Sequence, residues 1–252
     1  MLVSGINASQ RSAGRVAGAA FLIAFPTLAV ANFGLRGPLT DTDDPAQTIQ
    51  FVAQTGSMFS LSIALDLLYC VGLIVLLSAF FIVLSPVGRL VALVASLTKL
   101  VYAVTSVFVA LSLLTTLHYA SGSEYLEALG AGPLQAMVGI NSAFGWDLYY
   151  VGLVFWALSS TLFAWLWLRS RYVPAALAVF GLLSSAWCLF CATAYIAVPG
   201  FSTVVNVWLF DTPMAVFYMV LSVWLLLRGL RDRPAPGDAT HGIRPGPASS
   251  RP

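Results

Sequence analysis

Six long apolar runs constrain this chain more than any other feature of its sequence. They lie near residues 14–35, 57–84, 88–117, 142–168, 173–198 and 205–228, and each is long enough for the roughly 20 residues that a membrane-spanning helix needs. Only 9% of the 252 residues are charged, against about 25% in an average soluble domain, so the chain cannot build a water-soluble surface. A transmembrane barrel would need short segments of alternating polarity, and the runs do not alternate. The sequence therefore predicts an all-α, polytopic membrane bundle of six transmembrane helices.

The charged residues are divided unequally between the two ends of these runs. One side carries ten arginines, namely Arg11, Arg15, Arg89, Arg169, Arg171, Arg228, Arg231, Arg233, Arg244 and Arg251. The other side has Arg36 alone, and it collects Asp41, Asp43, Asp44, Glu124 and Glu127. Because loops rich in arginine and lysine stay in the cytoplasm, the pattern predicts that both termini are cytoplasmic.

The runs form one transmembrane domain, residues 1–230, followed by a tail. Residues 231–252 are rich in proline, glycine and arginine, a composition that predicts a disordered cytoplasmic tail. Outer loops are expected at 36–56 and 118–141, and SEYLEALG and PLQAMVGI in the second loop could form short interfacial helices.

The first run also has features of a signal peptide, with arginines before it and AVAN at residues 29–32 as a cleavage site. However, the run continues past Ala31 and contains GRVAG, a pattern of small residues that is typical of helix packing. We interpret it as helix one, and the sequence leaves open whether it is cleaved.

Lys99, the only lysine, lies inside the third run. It follows the turn at Pro86 by about 13 residues, which places it roughly 18 to 20 Å from the cytoplasmic end, beyond mid-membrane. A lysine near the membrane centre costs about 2.5 to 3.5 kcal/mol on insertion scales, so it should face the protein interior and have a partner.

Three aspartates are candidate partners for Lys99. On the same count along the helices, Asp66 lies at about 30 Å, Asp147 at about 33 Å and Asp211 at about 26 Å, in one outer layer. Asp66 is on the helix that directly precedes the lysine's own, and the lysine stem can cover part of the 10 Å difference in level by extending outward. The predicted buried charge pair is Lys99 with Asp66, and the other two aspartates remain alternatives.

Further polar side chains are expected at the outer level and could line a pocket that opens outward, with Lys99 as its floor. The predicted pocket residues are Tyr69, Tyr102, Asn141, Asp147, Tyr150, Asn206 and Asp211. Two interpretations remain open: a site for a small polar ligand, an ion or a proton, and a structural ion pair that only fixes the register of the helices.

Residues for known catalytic chemistry are scarce. Cys188 and Cys191 form a CxxC pair within the fifth run, where apolar surroundings disfavour the reactive thiolate. His118 and His241 are the only histidines, so the sequence predicts neither a metal site nor a cofactor. A GxSxG motif is absent, no catalytic residue is predicted, and nothing indicates a nucleic-acid partner.

Four segments, GRVAGAAFLIA, LDLLYCVGLIVLLSAFFIVLSPVGR, TKLVYAV and VGLVFWALSSTLFAWLWLRSRYVPAALAVFG, resemble in order and spacing the bacterial membrane family known as domain of unknown function 4386. The resemblance covers roughly residues 11–230. It implies a bacterial inner-membrane protein with a basic residue on the third helix and an aspartate on the second, which match Lys99 and Asp66. Many members carry a histidine where this chain has Ser159, and the family brings no established activity.

The sequence thus predicts a membrane protein in contact with the lipid bilayer, and it leaves several functions open. The first is binding or transport of a small polar ligand, an ion or a proton. The alternative is a structural or regulatory protein that binds a protein partner, and a membrane-embedded enzyme comes third. The oligomeric state does not follow from the sequence.

Overall fold

A computed structural model describes residues 6–37, 44–121, 130–198 and 200–231. Within these ranges every regular element is a helix. The α-helices are α1 (Ala8–Ala29), α2 (Pro45–Ala120), α3 (Ala131–Ser170), α4 (Ala175–Ala197), α5 (Phe201–Val204) and α6 (Val207–Leu227), and a π-helical segment (Val30–Leu35) continues α1. Five helices are long and apolar enough to cross a membrane, when α1 is counted with its π-helical continuation.

Helix α2 contains two of the predicted runs and reverses direction between them. The backbone leaves helical geometry at Gly88, with φ −171° and ψ 87°, two residues after Pro86, whose ring cannot continue the hydrogen-bonding pattern. The hydroxyl groups of Tyr69 and Tyr102 are 3.2 Å apart, although 33 residues of straight helix would separate these positions by about 50 Å. Residues 45–87 and 89–120 are therefore two antiparallel limbs, which we call the first and second limbs of α2.

The observed helices extend beyond the predicted runs on the side opposite Gly88. Helix α2 begins at Pro45, where the Asp44 side chain accepts a hydrogen bond from the Ala46 amide, and its geometry is irregular at Thr55. Helix α3 begins at Ala131, so PLQAMVGI is its first part and not a separate interfacial helix. Most of SEYLEALG and residues 232–252 of the predicted tail lie outside the described residues.

Helix α1 is an integral part of the bundle. The predicted close packing of GRVAG is present: a Cβ on Gly18 would lie 2.7 Å from the Ser222 carbonyl oxygen of α6, so only glycine allows the two backbones this approach. Phe21 is 1% exposed and stacks on Tyr218 of α6, with ring centroids 5.3 Å apart.

One end of the bundle gathers the start of α1, the reversal of α2, the α3–α4 turn and the end of α6. Gln10 donates a hydrogen bond from its side chain to the Val83 carbonyl (3.1 Å), and the Arg231 amide donates one to the Tyr172 carbonyl (2.9 Å). A Cβ on Gly88 would lie 3.2 Å from Leu166 near the end of α3. The described arginines other than Arg36 therefore belong to this end, which we call the arginine end.

Candidate functional site

The Lys99 ammonium lies in a cage of aromatic rings at the centre of the bundle. The side chain is 1% exposed, and its Nζ is 4.5 Å from the ring centroid of Tyr218, 4.6 Å from that of Trp156 and 5.8 Å from that of Tyr102. The electron-rich faces of such rings attract a cation, more strongly when water is excluded. Three helices thus provide the surroundings of the charge: the second limb of α2, α3 and α6.

Tyr218 also gives Lys99 its hydrogen bond. Nζ donates to the Tyr218 hydroxyl over 3.3 Å, and the same hydroxyl is 2.8 Å from Ser160 Oγ. The neighbouring Ser159, where the family resemblance implies a histidine in many members, donates to the Ala95 carbonyl of α2 (2.7 Å). The two serines therefore attach α3 to the helices on either side of the cage.

Asp66 does not form the predicted pair with Lys99. Its carboxylate makes an ion pair with Arg36, just beyond the π-helical segment, and Lys99 has no described carboxylate within ion-pairing distance. The reason is geometric. Lys99 would have had to bridge a difference in level of about 10 Å, whereas the guanidinium of Arg36 already lies at the level of Asp66.

Arg36 is a site residue that the sequence reasoning missed. It is 6% exposed and donates to Ser62 Oγ (3.1 Å) and to Asn32 Oδ1 (3.0 Å) in addition to Asp66. Its amide donates to the Ala31 carbonyl five residues earlier, as in a π-helix. One feature of the sequence could have indicated it: Arg36 is the only arginine on the acidic side. A buried arginine needs a counter-charge, and the nearby acidic residues offer one.

Asp211 lies two turns before Tyr218 on α6, and therefore on the same face of that helix as the residue that binds Lys99. Its Oδ2 accepts a hydrogen bond from the Tyr149 hydroxyl (2.8 Å), and its Oδ1 is buried without a hydrogen-bond partner. Lys99 and Asp211 do not form an ion pair within 4.0 Å of each other. Each has hydrogen-bonding capacity that the described residues do not use.

The structure brings together part of the predicted pocket. The hydroxyls of Tyr69 and Tyr102 are 3.2 Å apart, Lys99 Nζ is 5.8 Å from the Tyr102 ring centroid, and Tyr149 donates its hydrogen bond to Asp211. The resulting set, which we call the central polar cluster, consists of Lys99, Asp211, Tyr69, Tyr102 and Tyr149.

Four other predicted pocket residues have partners elsewhere. The Asn141 side chain donates to the Ser112 carbonyl and to Thr116 Oγ1 (2.7 and 2.8 Å). Tyr150 stacks on Tyr195, Asn206 caps α6, and Asp147 is exposed. A groove of about 410 Å³ lies apart from all the predicted pocket residues, on the surface of α4, and is lined by Ala186, Leu189, Phe190, Thr193, Ala194 and Ala197.

The described residues contain few candidates for metal or thiol chemistry. No group of three histidine, cysteine, aspartate or glutamate side chains could hold a metal ion there. Cys188 and Cys191 are free buried thiols, as the sequence predicts for small apolar residues. The central polar cluster combines an amine, a carboxyl and three phenol groups, all of which can form hydrogen bonds.

Long apolar helices with buried charges define this chain as a helical protein of the membrane type. The family model described as Domain of unknown function (DUF4386) matches residues 16–229. The chain belongs to this family, and the prediction from its sequence segments is confirmed. No curated protein and no solved structure matches the chain.

Proposed function

We propose that the chain crosses a bacterial inner membrane six times, with both ends in the cytoplasm. The reversal of α2 at Gly88 supports two crossings by that helix, in addition to one each by α1, α3, α4 and α6. The arginine end supports the orientation, because arginine-rich ends remain in the cytoplasm. Arg36 lies on the opposite side, but it is buried in an ion pair with Asp66 and is therefore not an exception to the positive-inside rule.

We propose further that the central polar cluster binds a small polar ligand, an ion or a proton within the bundle. One observation supports this function above all: Lys99 is buried with one hydrogen bond among the described residues, and Asp211 Oδ1 is buried without a hydrogen-bond partner. A purely structural pair would be expected to close into direct contact, because each desolvated charge gains most from a direct partner. Ionisable residues inside membrane bundles often mark the pathways of ions, protons or substrates.

A structural role is the second candidate, and the aromatic cage favours it. Three rings surround the Lys99 ammonium and leave it 1% exposed. A cage of this kind can stabilise the charge without any ligand. In that role Lys99 would hold α2, α3 and α6 together, and function would depend on a protein partner at the surface.

Thermal stability of the purified protein in detergent separates the two functions. Lys99→Met and Asp211→Leu are compared with each other, with the double variant and with Leu100→Met, which places the same methionine on the exposed face of α2. If Lys99 serves binding, Lys99→Met is as stable as the wild type, because the incompletely paired charge is removed. If each single variant is destabilised by several kcal/mol and the double variant recovers, the pair is structural and the binding proposal is wrong.

A further inference from the structure

We infer that the arginine end binds the headgroup of an anionic phospholipid, at a site formed by Arg15, Arg171 and Arg231. This site is separate from the central polar cluster, so the inference goes beyond the function proposed for that cluster. It rests on the proposed crossing of the membrane, because only a membrane-embedded bundle presents its helix ends to lipid headgroups. Backbone contacts, charges and neighbouring apolar side chains support it.

Arg231 is held at the end of α6 through both its backbone and its side chain. Its amide donates a hydrogen bond to the Tyr172 carbonyl in the α3–α4 turn (2.9 Å), and Arg171 directly precedes Tyr172. The guanidinium carbon of Arg231 is 4.7 Å from the ring centroid of Trp224. A guanidinium that stacks on an aromatic ring has a fixed plane, and the N–H groups at its edge suit the oxygens of a phosphate. Arg231 therefore presents an oriented phosphate-binding group.

Arg15 joins the site through the contact between α1 and the chain that follows α6. A Cβ on Gly14 would lie 3.4 Å from the Leu230 side chain, and these two residues directly precede Arg15 and Arg231. Arg15, Arg171 and Arg231 are all exposed, and none of them forms an ion pair within the described residues. Three elements thus bring three arginines without counter-charges to neighbouring positions.

The whole arginine end has an excess of positive charge. Ten arginines belong to this side of the sequence, against two aspartates, Asp232 and Asp238, which both lie in the tail. Within the described ranges, no aspartate or glutamate lies at this end. Anionic headgroups can supply the counter-charges, and their attraction strengthens binding by about fivefold for each arginine near the membrane surface.

Exposed apolar side chains beside these arginines favour a phospholipid over a free anion. The last two residues of α6, Leu226 and Leu227, are 37% and 78% exposed, and Arg228 follows them directly. Exposed apolar surface gains from contact with an acyl chain, which a free phosphate does not have. A phospholipid carries the phosphate and the acyl chains in one molecule, and it therefore matches both parts of this surface.

Binding of radiolabelled dioleoylphosphatidylglycerol to the full chain, immobilised in an uncharged detergent, tests the ligand class. One competitor is dioleoylphosphatidylcholine, which has the same acyl chains and a phosphate but no net charge. The other is inorganic phosphate, which has charge but no acyl chain. We expect phosphatidylglycerol to bind at least about fivefold more tightly than phosphatidylcholine, and an equal concentration of inorganic phosphate should not displace it.

Variants locate the site of that binding. Arg231→Gln and Arg171→Gln should each weaken phosphatidylglycerol binding by about fivefold, because each removes one charge that faces the headgroup. Arg89→Gln is the matched control. It removes the same charge from an exposed position at the same end, but from the reversal of α2, and it should leave the binding unchanged.

Three results would overturn the inference. If phosphatidylcholine binds the wild type as tightly as phosphatidylglycerol, the site does not recognise charge. If inorganic phosphate displaces phosphatidylglycerol, the ligand is the anion alone. If Arg89→Gln weakens binding as much as Arg231→Gln, the lipid meets the charged surface in general and not this site. The first two comparisons require no variant to fold, and none of the three results bears on ligand binding by the central polar cluster.

Discussion

The surroundings of Lys99 show how one residue can carry a charge into an apolar bundle. Burial costs an ammonium its hydration, and a single hydrogen bond to Tyr218 replaces little of it. Attraction to the rings of Trp156 and Tyr218 contributes about 2 kcal/mol or more at a desolvated site. Lys99 is therefore stabilised by its rings while its N–H groups remain available.

Removal of the Tyr218 hydroxyl should destabilise the fold. Tyr218→Phe keeps the ring but takes hydrogen bonds from Lys99 and Ser160, and we expect a loss of about 1 to 3 kcal/mol in the free energy of unfolding. Equilibrium unfolding in mixed micelles measures the change. The control is Tyr172→Phe, since the buried Tyr172 hydroxyl has no partner and its loss should be neutral. Equal effects of the two variants would contradict this account of the cage.

At the residue scale, the sequence predicts that Lys99 faces the interior and needs a partner, but it does not identify that partner. Depth counting indicates a poor match between the levels of Lys99 and Asp66, and the structure agrees with the count. Identifying the correct partner of Lys99 would have required knowing the direction in which each side chain leaves its helix. Trp156 and Tyr218 come from α3 and α6, and their approach to Lys99 depends on how these helices pack, which hydropathy does not encode.

Among the elements, the π-helical segment Val30–Leu35 has the clearest consequence. It ends at Arg36, whose side chain reaches Asp66 and Ser62 on the first limb of α2. A π-helix turns less per residue than an α-helix and redirects the side chains that follow it. The segment thereby positions the guanidinium inside the bundle, and the outer end of α1 is attached to α2 by a buried ion pair.

The buried charges of Arg36 and Asp66 should be energetically coupled. Arg36→Met and Asp66→Leu each leave one buried charge without its partner, and each should destabilise the protein by about 3 to 5 kcal/mol. The double variant should lose less than the sum of the two, and the difference is the coupling energy. Unfolding free energies of all four proteins complete the cycle, with Arg15→Met as the control at an exposed position. Additive losses would show that the pair contributes no coupling.

The elements themselves follow closely from the sequence. The predicted runs 173–198 and 205–228 agree within two residues with α4 and α6, because apolar composition and length determine a spanning helix. The reversal between runs 57–84 and 88–117 is also present, at Gly88. The π-helical segment is different, since its apolar residues VANFGL fit an α-helix equally well. Only the contacts of Arg36 distinguish a π-helix from an α-helix in this segment.

For the whole molecule, the separation of charges should determine its orientation in the membrane. The arginine end collects the start of α1, the reversal of α2, the α3–α4 turn and the end of α6, while Arg36 is paired away from it. In the proposed topology, the excess of arginine holds these segments in the cytoplasm. The reversal at Gly88 then requires that both ends of α2 lie on the opposite side.

Fusion proteins truncated at three points test this topology. Green fluorescent protein, which fluoresces only in the cytoplasm when exported unfolded, is attached after Arg89, Ser121 or Arg171. We expect fluorescence after Arg89 and Arg171 and none after Ser121, because the second limb of α2 crosses outward and α3 crosses back. Alkaline phosphatase at the same positions should give the inverse activities and serves as the control. If the fusions after Arg89 and Ser121 report the same compartment, the second limb does not cross. The six-span topology would then be wrong, and Lys99 would not lie within the membrane.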